Sequence, residues 1–233
     1  MLIRLKNVEK TYRSGEVETK ALRDVSLDIN QSEFVVVLGP SGSGKTTLLN
    51  VISGLDRIDA GHIFFQDTEL SCLSDDKLTE FRRRHLGFVF QQYNLLQNLT
   101  AYENVQIGAD IGEHPLDVEE TLRKVGLTDH QDKYPYQLSG GEQQRVSIAR
   151  SIAKNPDILF CDELTGALDE KTARQVLRVV EELNHDLGLT MVVITHNAGI
   201  AAMADRVIRM NSGQIESITK NDTKQLSQDI QWG

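Results

Sequence analysis

Cysteine is nearly missing from this 233-residue chain: Cys72 and Cys161 are the only two, and they stand far apart. They make no metal-type spacing, and two reduced thiols of a cytoplasmic protein is the simplest reading. Long apolar runs are missing as well. The tightest, Phe34-Val35-Val36-Val37-Leu38, is strand-sized, whereas a bilayer-spanning helix needs about 20 residues. The opening MLIRLKNVEK holds no apolar core of signal-peptide length. Positive charge is in deficit, with 25 Lys and Arg against 34 Asp and Glu, a net charge of −9. Such a surface opposes non-specific binding to nucleic acid or anionic lipid. There is no internal repeat, no low-complexity tract and no heptad run, so a long coiled coil is excluded.

What remains, with 39% hydrophobic residues, suits one large domain with a sizeable core. Residues 2–12 mix Ile3, Leu5 and Val8 with charge. Val25, Leu27 and Ile29 alternate with polar residues, and Ser14-Gly15 between the two segments signals a turn. Residues 34–38 read as a strand buried on both faces, as in a parallel sheet covered by helices. A helix is expected over 46–53, stopped by Gly54. Further helices are expected over 117–125, 142–154 and 170–187, and strands over 158–160 and 191–194. In the last helix Val176, Val180, Leu183 and Leu187 fall on one face. Strand, helix, strand, helix marks a parallel α/β sheet, here interrupted by a helical insert at 92–155. The tail, 219–233, is polar and expected to be weakly ordered.

Gly39-Pro40-Ser41-Gly42-Ser43-Gly44-Lys45-Thr46 matches the phosphate-binding pattern G-x-x-x-x-G-K-[ST]. Glycines let successive N–H groups turn inward around phosphate oxygens, and the next helix aims its positive end at the same anion. Lys45 adds a full charge near the β and γ phosphates, and the Thr46 hydroxyl suits Mg²⁺. Ile158-Leu159-Phe160-Cys161-Asp162-Glu163 is an apolar strand ending in two carboxylates at the sheet's carboxyl edge. Asp162 can hold Mg²⁺ through water, and Glu163 can polarise an attacking water. A structural role for this pair is the competing reading. Leu138-Ser139-Gly140-Gly141-Glu142-Gln143-Gln144-Arg145 opens a helix with a capping box. It also makes a second anion site, more than 90 residues from the first, and two such sites make sense if they meet across a dimer.

On these motifs, in this order, the sequence resembles the ATP-binding cassette (ABC) family over residues 2–216. The resemblance implies a P-loop NTPase α/β core at 1–91 and 156–218, with an antiparallel β subdomain and the inserted helical subdomain. It places Tyr12 as the aromatic that stacks on adenine, and Gly39 to Thr47, the Thr47 hydroxyl included, around the phosphates. Gln91 would sense Mg²⁺ and the membrane partner. Ser139, Gly140, Gly141 and Glu142 would face the γ-phosphate bound to a second subunit, with Asp169 in the D-loop. Thr46, Gln91 and Asp162 would serve the metal, and Glu163 and His196 the hydrolysis. His196 would contact the γ-phosphate and orient the water.

Gly87-Phe88-Val89-Phe90-Gln91-Gln92-Tyr93-Asn94-Leu95-Leu96, Thr100-Ala101-Tyr102-Glu103-Asn104-Val105 and Thr165-Gly166-Ala167-Leu168-Asp169 are similar to the MacB/LolD/FtsE-type branch. That implies an ATP- and Mg²⁺-dependent homodimer, cytoplasmic and peripheral at the inner membrane face. It would drive a MacB/FtsX-like permease for export or extraction of a lipoprotein, peptide or drug. Mechanotransmission to envelope enzymes is the alternative, and a DNA-repair ABC protein is disfavoured by the missing coiled coil. Leu164 departs from the branch's proline, which is expected to loosen the backbone beside Glu163 and alter turnover. Cys161 replaces an alanine, Ser32 a turn glycine, and residues 106–117 form a shortened stretch.

Overall fold

A computed structural model describes residues 1–232, so that Gly233, the last residue of the expected tail, lies outside the described residues. Two sheets organise it. The first joins β1 (Ile3–Ser14), β2 (Val17–Ile29), β4 (Ala60–Phe65) and β5 (Thr68–Glu69) in the order β2-β1-β4-β5, antiparallel throughout. The second has six strands in the order β10-β9-β3-β8-β7-β6. They are β3 (Phe34–Leu38), β6 (Leu86–Phe90), β7 (Ile158–Asp162), β8 (Thr190–Thr195), β9 (Arg206–Asn211) and β10 (Gln214–Lys220). All but β10 run parallel.

Alternation along the buried strands explains the two cores. Val36, Leu38, Leu159, Cys161 and Val193 face a cluster built with α3 (Ala101–Asp110), α5 (Gly140–Ala153) and α6 (Glu170–Leu187). Val35, Val37, Ile158, Phe160 and Val192 face the other way, onto α1 (Lys45–Ile52), α2 (Asp75–His85) and the antiparallel sheet. The remaining helix, α4 (Val118–Lys124), buries Leu122 beside α3 and α5.

Four expectations need correction or completion. Leu187 is 37% exposed while Val176, Val180 and Leu183 are buried, because α6 ends there against a left-handed Gly188. The expected helix at 142–154 begins at Gly140, capped by Ser139. Helix α3 was not expected: its residues are too mixed for clear periodicity. It forms because Thr100 and Glu103 make a reciprocal capping box and buried Asn104 donates to three preceding carbonyls. Through Trp232 the tail is tied to the core rather than loose. Arg174 of α6 donates to the Ser227, Gln228 and Ile230 carbonyls, and Ile230 and Trp232 pack on the core. Ser32 does adopt a left-handed φ of 60°, and its backbone N–H and hydroxyl bond Thr190 and Gly188 in compensation.

Helices α3 and α5 cross where Gly108 faces the Arg150 carbonyl; a Cβ there would overlap that oxygen. Gly108→Val is therefore expected to destabilise the fold by roughly 3 kcal/mol, the upper end for an overpacked core. A lower urea midpoint at unchanged m-value would show it.

Candidate active site

Strand register assembles the site. Leu38 pairs with Thr195, Ile194 with Asp162, and Asp162 with Phe90. The carboxyl ends of β3, β8, β7 and β6 are therefore level, and the segments leaving them meet at one edge. Those segments carry the glycine-rich turn after β3, His196 after β8, Glu163 after β7 and Gln91 after β6. All of these line one open cleft of about 740 Å³, with Tyr12 at its mouth.

The turn suits an anion. Gly42 and Gly44 have φ of 76° and 98°, and a Cβ on Gly44 would stand 2.5 Å from the Ala21 carbonyl oxygen. Only glycine fits there. No side chain caps α1, and its first residues, Lys45, Thr46 and Thr47, line the cleft, where a helix start suits an anion. Lys45 Nζ donates to the Gly39 and Pro40 carbonyls at 2.8 and 3.0 Å. Among the described residues no carboxylate pairs with it, leaving its charge for a ligand. Ser43 is buried with its hydroxyl unpartnered. Ser41, Thr46 and Thr47 also line the cleft, whereas Gly39, Pro40 and Ser43 shape the turn behind it.

Asp162 ends β7 half-buried. Burial first, then the neighbouring Glu163 charge, push its carboxyl above the usual range, against Lys45 and a bond from the Thr46 hydroxyl. A cation bound beside it would relieve that strain. The donors are hard oxygens, and among the described residues no three His, Cys, Asp or Glu gather into a cage. A small hard cation held here must complete its shell from phosphate and water, as Mg²⁺ does. Glu163 sits at a left-handed φ of 52°, held by its N–H to the Ile194 carbonyl at 2.9 Å. His196 Nδ1 lies 3.0 Å from its carboxylate. The Leu164 side chain is buried in the core, 2% exposed. The Cys161 thiol, pushed up to about 12 by burial and then by Asp162, stays protonated and inert.

Ser139, Gly140, Gly141, Glu142 and Asp169 do not line this cleft. Ser139 is exposed and caps α5; its N–H and hydroxyl donate to Glu142 Oε2 at 2.7 and 2.8 Å. Gly140 faces the Tyr93 hydroxyl, which would crowd any Cβ. Asp169 caps α6 and accepts from the Thr172 hydroxyl at 2.6 Å, and these Thr172 bonds hold its carboxyl below the usual range. The exposed Ser139 start of α5 and the Asp169 start of α6 thus both lie outside the cleft. Sequence reasoning missed Arg150, which donates to the Tyr93 and Asn94 carbonyls and pins the loop after Gln91 to α5. It also missed Lys10 and Asp56 behind Tyr12. Neither has a local motif; both act through tertiary contacts.

Residues 22–166 match the ABC transporter family. A putative ABC transporter ATP-binding protein of Mycoplasma pneumoniae is 45% identical over 99% of this chain and 50% of its own length. The chain thus spans about half of that relative. The macrolide export ATP-binding/permease protein MacB of Pasteurella multocida is 43% identical over 98% of this chain and 36% of its own. Among solved structures, a dimeric post-hydrolysis state of the ATP-binding cassette MJ0796 bound to ADP and Pi superposes with a TM-score of 0.84. It is 41% identical, covering 94% of this chain and 98% of that one.

Proposed function

The chain belongs to the ABC transporter family, and from that premise we propose that it is the ATP-hydrolysing motor subunit of a membrane transporter of the MacB/LolD/FtsE type. It works as a head-to-tail homodimer that couples hydrolysis to a MacB/FtsX-like permease exporting or extracting a lipoprotein, peptide or drug. The observation that carries this reading is the split between the cleft and the exposed Ser139 cap: a glycine-rich turn with carboxylates at one edge, and the start of α5, outside that cleft, with its Ser139 exposed. Among the described residues no helix is long and apolar enough to cross a membrane. In this reading the motor sits at the bilayer's inner face, docked on its permease.

Each residue then has a task. The turn from Gly39 to Thr47, with Lys45, holds the phosphates, and Tyr12 stacks on the adenine. Thr46, Asp162 and Gln91 would hold Mg²⁺, which would supply positive charge beside the transferred phosphoryl group. Glu163 draws the proton from the attacking water while His196, 3.0 Å away, orients it. Ser139 to Gly141 of one subunit, with Glu142 and Asp169 beside them, close on the nucleotide of the other. Closure moves the permease, and loss of the γ-phosphate restores like-charge repulsion and reopens the dimer.

Ser139→Arg tests the dimer arm. Its side chain is exposed, so the monomer is expected to fold and bind ATP normally. ATP-driven dimerisation, read by size-exclusion light scattering, is expected to vanish. A variant that still dimerises with ATP would remove Ser139 from the interface.

A further inference from the structure

Tyr12 is 40% exposed, yet its position is tightly determined. Its hydroxyl donates to Asp56 Oδ2 at 2.7 Å. Lys10, two residues earlier on the same strand, is only 9% exposed, a rare state for lysine without a specific partner. Its ammonium donates to Asp56 Oδ1 at 2.9 Å and to the Arg57 carbonyl at 2.8 Å, and lies 5.1 Å from the Tyr12 ring centroid. One carboxylate thus grips both the ring's hydroxyl and the cation packed over the ring. Burial works against the Asp56 charge, but the bonds from Lys10 and Tyr12 outweigh it and hold the carboxyl below its ordinary value.

This carboxylate is in turn tied to the phosphate-binding helix. Asp56 N–H donates to the Asn50 carbonyl of α1 at 3.1 Å, in the turn that closes that helix. The β1–β2 register shifts between Lys10 and Thr11, an irregularity that re-aims the strand just before Tyr12. Neither Lys10 nor Asp56 lines the cleft, so neither is placed to touch a nucleotide. A cation packed over an aromatic ring draws down its π density, and the ring then stacks better on an electron-rich purine.

We propose that the buried Lys10–Asp56 pair is a positioning device for the nucleobase: it fixes the Tyr12 ring relative to the phosphate-binding helix and tunes its face, so that base-dependent affinity rests on two residues the nucleotide never meets. The inference rests on the reading of Tyr12 as the adenine platform. It assigns Lys10 and Asp56 no part in phosphate binding or hydrolysis.

The test uses the full chain and two probes, ATP and inorganic tripolyphosphate, with dissociation constants from calorimetry. Tyr12→Ala sets the scale: loss of one base–aromatic stack corresponds to roughly 5- to 150-fold for ATP, with tripolyphosphate unchanged. Lys10→Met keeps the stem and removes the charge. It is expected to weaken ATP at least about 3-fold, toward the low end of that stacking effect, to leave tripolyphosphate unchanged, and to raise KM for ATP without lowering kcat. Should Lys10→Met not fold, Asp56→Asn makes the same test with the shape of the network retained. An equal loss for ATP and tripolyphosphate would overturn the proposal, since the pair would then merely hold the fold. So would a large effect of Tyr12→Ala beside wild-type ATP binding by Lys10→Met. If Tyr12→Ala itself binds ATP normally, the platform reading fails first and takes the proposal with it.

Discussion

Glu163→Gln is expected to keep ATP binding, to lower kcat by at least about 10²-fold, and to convert the chain from monomer to stable dimer when ATP is added. The size comes from the group that the change removes. Loss of a general base costs about 10²- to 10⁴-fold, so 10², about 2.7 kcal/mol of barrier, is the low end. The substitution is conservative everywhere else. Glutamine has the same shape, and the left-handed turn at 163 is held by a backbone bond to Ile194 that the side chain does not make. A Gln oxygen can still take the bond from His196, so the water-orienting ring stays in place. Electrostatics point the same way. The Glu163 charge is the second cause, after burial, that raises the Asp162 carboxyl. Removing it eases Asp162 ionisation, and the cation site is expected to hold at least as well as before. Steady-state phosphate release and light scattering with and without ATP read both arms. Wild-type turnover by Glu163→Gln would sink the assignment of the base; slow turnover with no dimer would mean that closure requires the permease.

The site shows what kind of information a sequence holds. The glycine-rich turn running into a helix was legible because its geometry is local: the glycines, the lysine and the helix after them are contiguous, and they depend little on the rest of the chain. Strand β3 and helix α6 were legible for the same reason, one as an unbroken apolar run and the other as a long amphipathic pattern. That Glu163, His196 and Gln91 meet was not readable from periodicity. It stems from the strand order β3-β8-β7-β6, in which chain neighbours are not sheet neighbours, and resemblance to a family supplied it instead. The features that were missed are held by tertiary bonds from single side chains. Arg174 orders a polar tail through three carbonyls, and buried Asn104 stabilises a helix of weak pattern. Lys10 was passed over because a lysine in a charged strand looks solvated. The burial of Leu164 was likewise hidden in the sequence, since it depends on tertiary packing.

Lys45→Ala is expected to weaken ATP binding by about 10²-fold, about 2.7 kcal/mol, with little change in stability. Two facts separate these effects. First, Lys45 forms no ion pair among the described residues; it lines the open cleft, and its bonds go to the Gly39 and Pro40 carbonyls of the turn behind it. Truncation strands no buried charge, and the two carbonyls can turn to water, so the usual reason for a large loss of stability is missing. Second, the charge matters most when phosphate arrives. A charge-assisted contact to phosphate is roughly twice as strong as a neutral one. Without the ammonium, the uncapped start of α1 still attracts the anion, which is why binding weakens and does not disappear. The loss is expected to be larger for ATP than for ADP, because a lysine near the β and γ phosphates forfeits a partner when the γ group is gone. Calorimetry on both nucleotides measures this, beside a urea denaturation curve for each protein. Unchanged ATP affinity would remove Lys45 from the phosphate site, whereas a fall in affinity matched by a fall in the unfolding midpoint would make it a structural residue of the turn.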